Sequence, residues 1–129
     1  MQIHQSAEDY LECILKLSKV RPVVRSIDIA TEMNFSKPSI SVAMKNLRLN
    51  GYILMDESGF ITLTESGLEI AENIYERHLV LTEWLKYLGV DERIAAEDAC
   101  KIEHNLSPET YAALKKHIQK DMGDTLNLQ

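Results

Sequence analysis

Through most of this 129-residue chain, apolar residues recur every three or four positions, the period of a helix with one face turned inward. Tyr10, Leu11, Ile14, Leu15 and Leu17 set a first helix over about Ala7–Lys19. It is opened by Ser6-Ala7-Glu8-Asp9, a hydroxyl with a carboxylate three residues on. Ser26 is expected to cap a short second helix, Ile27–Met33, with Ile27, Ile29, Ala30 and Met33 facing inward. After the turn Asn34-Phe35, Ser36 caps a third helix carrying Ile40, Ala43, Met44 and Leu47; it ends near Asn50, with Gly51 just beyond. Two helices joined by a short turn, the second of them basic, make a helix-turn-helix pattern.

The pattern then changes. Tyr52-Ile53-Leu54-Met55 and Phe60-Ile61-Thr62-Leu63 are β-prone runs flanking the turn-like Asp56-Glu57-Ser58-Gly59, which predicts a hairpin. A hairpin directly after a recognition helix is a wing. Helical spacing returns with Thr64, which caps a long helix from Glu65 to about Leu88, stopped by Gly89. Asp91 starts a fifth helix reaching about Asn105. Ser107-Pro108-Glu109 opens a last one that ends before Gly123, leaving 124–129 as a loose tail. The expected class is mainly α: an N-terminal winged helix-turn-helix over residues 1–70, then an all-helical lobe over 71–129, with the long helix as a shared strut.

Composition narrows the setting. The 45% apolar content is ordinary for a folded domain, and three prolines leave room for long helices. No apolar run approaches the roughly 20 residues of a membrane span, and the start lacks the basic and apolar regions of a secretory signal. A cytoplasmic protein without membrane contact is expected. Its cysteines, Cys13 and Cys100, are then expected to be reduced thiols or metal ligands rather than a disulfide. The formal charge of -6 argues against nucleic acid until it is mapped. Residues 13–55 carry seven bases and two acids, a local charge of +5, while the other 86 residues carry -11. A phosphate-binding lobe beside an acidic one fits this distribution. Ser36, Lys37, Pro38, Ser39, Ser41 and Lys45 are the candidates at the start of the third helix, with Arg25 and Arg48 as phosphate contacts.

The candidate chemistry lies in Cys100-Lys101-Ile102-Glu103-His104. On a helix these three donor types would project within an arc of about 100°. Thiol and imidazole favour borderline ions, whereas carboxylates admit Mn(II) and Fe(II). A buried cysteine beside a surface glutamate and a capping histidine would give the same spacing. Asp9 and Glu12 share a face of the first helix; Asp9 also reads as a capping acid, and Glu12 falls among apolar neighbours where an unpaired carboxylate is costly. His78, mid-way along the strut, reads either as a ligand or as a partly buried, satisfied histidine. Cys13 reads as core packing; His4 and His117 read as incidental.

Taken together, several segments resemble the DtxR/MntR metalloregulators across residues 5–118. They are Ser6-Ala7-Glu8-Asp9-Tyr10-Leu11-Glu12, Ser36-x-Pro38-Ser39, Leu63-Thr64-x-x-Gly67, Arg77-His78, Gly89-Val90-Asp91 and Cys100-x-x-Glu103-His104. The resemblance implies a metal-dependent repressor of Mn(II)/Fe(II) homeostasis that binds a palindromic double-stranded operator. It implies a homodimer through the helical lobe, with no enzymatic activity and no organic cofactor. It places Asp9, Glu12, His78, Cys100, Glu103 and His104 on metal positions, where Co(II), Ni(II) or Zn(II) can substitute. The pattern is mixed. The helix-1 carboxylates match the manganese-sensing branch and Cys100 the iron-sensing one, through either its sulfur or its carbonyl. Thr82 and Ala96 stand where the iron branch has ancillary ligands, and Val42 where it has a base-contacting glutamine. The resemblance implies a two-lobe architecture like that of the manganese sensors, without the SH3-like third domain of the longer iron sensors. The residues leave three alternatives: a MarR-like repressor answering an organic ligand, a metalloenzyme with Glu103 as base, and a structural DNA-binding dimer.

Overall fold

The computed structural model describes residues 5–123; the expected loose tail and His4 lie outside the described residues. The chain is mainly helical and divides into two compact units, Met1–Glu72 and Asn73–Gln129.

The first unit holds α1 (Gln5–Val20), α2 (Ser26–Met33), α3 (Lys37–Leu49), β1 (Ile53–Met55) and β2 (Ile61–Leu63). Its core includes Leu11, Ile14, Ile29, Ile40, Met44 and Ile53, each at most 1% exposed. The expected inward face of α2 needs correction. Ile29 and Ala30 are buried, but Ile27 is 44% exposed, since at 100° per residue it lies about 200° round the helix from Ile29. The cap moves as well: Arg25 holds the N-cap position and Ser26 is the first helical residue. The Asp28 carboxylate accepts the Arg25 backbone N–H at 2.9 Å, doing the work expected of the Ser26 hydroxyl. Asn34 ends α2 in the left-handed conformation (φ 57°), which an asparagine tolerates, and Phe35 then packs edge-on to Tyr10. Ser36 caps α3 as expected, accepting the Ser39 N–H at 3.3 Å, and Pro38 sits in the first turn, where its missing N–H costs nothing.

The strands are antiparallel, Leu54 opposite Thr62, and one residue shorter at each start than expected. Tyr52 and Phe60 are used elsewhere: the Tyr52 carbonyl accepts the Thr64 N–H at 3.0 Å, and Asp56 takes the Ser58 and Phe60 N–H groups, both at 2.9 Å. The Ile61 N–H donates to the Val24 carbonyl at 2.7 Å, fastening the wing to the segment that leads into α2. Arg25 completes this junction, its guanidinium 4.7 Å from the centre of the Phe60 ring. Helix α4 (Glu65–Tyr87) starts here, with the Thr64 hydroxyl accepting the Gly67 N–H at 3.2 Å. Gly67 is required by proximity: a Cβ at this position would stand 2.0 Å from the Tyr52 carbonyl oxygen.

In the second unit, the rest of α4 packs with α5 (Glu92–Ile102) and α6 (Pro108–Met122). Val80, Ile118 and Met122 form its core, flanked by Trp84 and Leu114. Gly89, at φ 102°, allows the turn out of α4. Asp91 caps α5, accepting the Arg93 N–H at 3.2 Å, and Ser107 caps α6, accepting the Thr110 N–H at 3.1 Å. Helix α5 ends at Ile102 rather than near Asn105, and residues 103–106 form a turn. Among the described residues no helix is long and apolar enough to cross a membrane.

Candidate metal centre and nucleic-acid face

Four of the six expected ligands lie in the second unit, and three of them converge. His78 comes from α4, Cys100 from the last turn of α5, and Glu103 from the residue after it. His78 Nδ1 stands 3.0 Å from Glu103 Oε2 and 3.7 Å from Cys100 Sγ, and one donor atom from each residue lies within 4.8 Å of the other two. His104 Nε2 faces the other carboxylate oxygen, Glu103 Oε1, at 3.4 Å. Because α5 stops at Ile102, Glu103 and His104 belong to the turn; the expected single helical face does not account for their meeting.

The electrostatics suit a cation. Glu103 is 1% exposed, and among the described residues its Oε1 accepts no hydrogen bond. A buried carboxylate is stable only with positive charge beside it. The Cys100 sulfur and the Glu103 carboxylate, acting as acceptors, push the His78 imidazole up to about 9, against the opposing effect of burial. The cluster therefore holds a proton where its nitrogen, sulfur and oxygen donors could hold a borderline or hard dication, and the donor set fits one. Cys100 is exposed, so the soft donor faces solvent while the hard donor is buried.

Asp9 and Glu12 belong to α1 in the first unit. Asp9 is partly buried; Glu12 is 6% exposed, with the Lys16 ammonium 3.7 Å from its Oε2. Cys13 beside them is buried, and desolvation, aided by Glu32, pushes its thiol up to about 11, where it is inert.

Ser36, Lys37, Pro38, Ser39, Ser41, Lys45 and Arg48 are all exposed along α3, and Arg25 is exposed at the wing junction. Their outward stripe is not wholly polar: Val42 is 61% exposed among them. Ser36 also donates to the Ser39 hydroxyl at 2.8 Å, which orients both groups at the start of the helix. Ser26, Ile27, Lys37 and Ser41 line a shallow groove of about 150 Å³ between α2 and α3.

Sequence reasoning gave Arg77 no role. Its Nη1 donates to the backbone carbonyls of Glu103 (3.0 Å) and Leu106 (2.8 Å), and its guanidinium lies 4.8 Å from the centre of the Tyr111 ring. The Tyr111 hydroxyl meets Glu76 Oε2 at 3.2 Å, and Lys115 pairs with the other oxygen of Glu76. Adjacency to His78 was the one available sign.

A winged helix-turn-helix in one unit and a metal-suited donor cluster in the other make the class of a metal-responsive DNA-binding regulator. Comparison with known proteins agrees. Residues 2–59 match the N-terminal DNA binding domain of the iron dependent repressors, and residues 64–122 match their metal binding and dimerisation domain. The chain belongs to the DtxR/MntR family of metal-dependent transcriptional repressors, which are regulators and not enzymes. It is 38% identical over 119 residues to an uncharacterized HTH-type transcriptional regulator of Methanocaldococcus jannaschii, covering 90% of this chain and 94% of that one. It is 34% identical over 113 residues to the transcriptional regulator MntR of Escherichia coli (strain CFT073), covering 88% and 73%. A solved manganese-dependent transcriptional repressor, in complex with manganese, superposes with a TM-score of 0.76 at 26% identity over 91% of this chain. The chain spans about half, 52%, of that repressor's length. Among the alternatives left by the sequence, these matches select the metal-dependent repressor.

Proposed function

We propose that this chain is a cytoplasmic repressor whose operator binding is switched on by Mn(II) or Fe(II), with Co(II), Ni(II) or Zn(II) able to substitute. The observation that carries the reading is the convergence of His78, Cys100 and Glu103 within 4.8 Å, in a chain that also bears a winged helix-turn-helix. His78, Glu103 and His104 would hold the ion, with Asp9 and Glu12 as the ligands that the family resemblance assigns from α1, and with Cys100 contributing its sulfur or its carbonyl. The solved relatives whose names specify manganese, and the excess of carboxylate and imidazole over thiolate, favour the harder ions. When bound, the ion would supply positive charge to this acidic set in place of the proton on His78.

The chain's own residues then define the switch. In this reading residues 1–70 read DNA and residues 71–129 form the homodimer. Ion binding in the second part would then govern DNA binding by the first. A palindromic operator would require the two copies of α3 about one DNA turn, roughly 34 Å, apart. The exposed hydroxyls, Lys37, Lys45, Arg48 and Arg25 would take phosphates, and shape readout would supply much of the specificity.

The test is binding to duplexes selected from a random library, at buffered free Mn(II), Fe(II), Co(II) and Zn(II) without oxygen. Chelation is expected to weaken binding about 100-fold, equivalent to about 2.7 kcal/mol, while leaving the dimer intact. Equal affinity with and without chelator defeats metal control.

A further inference from the structure

We propose that Arg77 is a positioning residue of the metal centre: it sets the backbone turn that carries Glu103 and His104 before any ion arrives. The inference rests on the metal-binding reading above.

Helix α5 ends at Ile102 without a glycine, and Asn105 closes its last turn, donating from Nδ2 to the Lys101 carbonyl at 2.7 Å and from its backbone N–H to the Ile102 carbonyl at 2.9 Å. The turn that follows is held from α4: two of its carbonyls receive the same Arg77 nitrogen, Glu103 at 3.0 Å and Leu106 at 2.8 Å. The first of these oxygens belongs to the planar peptide unit joining Glu103 to His104. Fixing that plane fixes the directions in which both side chains leave the backbone. The second bond, three residues on, holds the far end of the same turn. An arginine suits this task because it stays charged and its planar fork reaches two acceptors at once.

Arg77 is itself held in place. Its guanidinium lies against the Tyr111 ring at 4.8 Å. That ring is anchored through its hydroxyl to Glu76, the residue before Arg77, and Glu76 is paired with Lys115 of α6. The series Lys115, Glu76, Tyr111, Arg77 ends at the backbone of the two ligands. Support of this kind around a metal ligand changes metal affinity about 10–100-fold when removed.

The sign of the effect separates positioning from charge. A cation near the site opposes a dication, so deleting Arg77 would strengthen binding if charge alone mattered. If the turn must be preset, deletion weakens binding. The experiment uses full-length wild type, Arg77→Met, Arg77→Lys and Glu76→Gln, titrated without oxygen with Co(II), reading the ligand-field absorption and the affinity by chelator competition. Arg77→Met is expected to weaken Co(II) about 10–100-fold and alter the absorption bands. Arg77→Lys, with one compact donor, is expected to recover part of the affinity. Glu76→Gln, which loosens the support of Arg77 but leaves its bonds to both carbonyls, is expected to lower Tm and weaken Co(II) less than Arg77→Met does. Wild-type affinity and spectrum in Arg77→Met overturns the proposal. So does a loss in Glu76→Gln equal to that in Arg77→Met. Should Arg77→Met fail to fold, Arg77→Lys decides on the same two readouts. Absence of any Co(II) signal in the wild type is a different result: it removes the metal-binding reading itself, and this inference with it.

Discussion

Replacing Gly67 by alanine sets two physical effects against each other. Alanine is the better helix former by about 1 kcal/mol, so on propensity alone Gly67→Ala near the start of α4 should stabilise the protein. The structure predicts the opposite. The added Cβ would stand 2.0 Å from the Tyr52 carbonyl oxygen, 1.4 Å short of the 3.4 Å at which such contact becomes ordinary. The obstacle is main chain, so no rotamer change relieves it. That carbonyl also accepts the Thr64 N–H at 3.0 Å, while the Thr64 hydroxyl donates to the Gly51 carbonyl at 2.7 Å. Moving Tyr52 away therefore strains the junction between the wing and α4. Forced overpacking costs about 1–3 kcal/mol and the weakened hydrogen bond about 1 kcal/mol more. After the propensity gain, a net loss of about 2 kcal/mol remains, which for a unit of this size lowers Tm by roughly 8–16 °C. Thermal melting of the metal-free protein by circular dichroism, with urea unfolding alongside, measures it. A Gly67→Ala protein melting at or above the wild-type temperature would refute the reasoning.

Two further outcomes follow from the site and the DNA face. His78, raised from 6.5 to about 9, contributes stability to the metal-free protein that is fully present below about pH 6.5 and is lost as pH rises through 9. Metal needs the neutral ring, so near pH 7.5 an ion must displace that proton. Calorimetry in buffers of different ionisation enthalpy should then show proton release that His78→Gln reduces; a heat independent of buffer contradicts it. Lys45→Ala should weaken DNA binding and, with one phosphate fewer neutralised, lower the steepness of its salt dependence by about 0.9, whereas an unaltered slope argues that Lys45 touches no phosphate.

The elements were legible where local chemistry fixes them. Ser36, Asp91 and Ser107 cap the helices assigned to them, and Gly51, Gly59 and Gly89 adopt positive φ where the chain turns. Much of what escaped depends on residues distant in sequence, and the rest on which of two nearby groups makes a cap. The turn after α5 is held by Arg77, whose acceptors lie 26 and 29 residues further on, and helical periodicity overran into it. The start of α2 turned on Asp28 rather than Ser26, because a carboxylate three residues into a helix can close the cap from inside. The ligand types of the Cys100–His104 segment were visible as a spacing. That His78 joins Cys100 and Glu103 follows only from how α4 and α5 pack.

The bond from Ile61 to Val24, with Arg25 lying flat on Phe60, has a bearing on how the protein would meet a duplex. The hairpin and the first helix of the helix-turn-helix are stitched to one stretch of main chain, so neither can swing without the other. The loss of freedom needed to align them is met while the chain folds, leaving less to be given up at the moment of docking. The Arg25 guanidinium, 4.7 Å from the centre of the Phe60 ring, is exposed there, and N–H groups that the ring does not satisfy are the donors by which arginine grips phosphate.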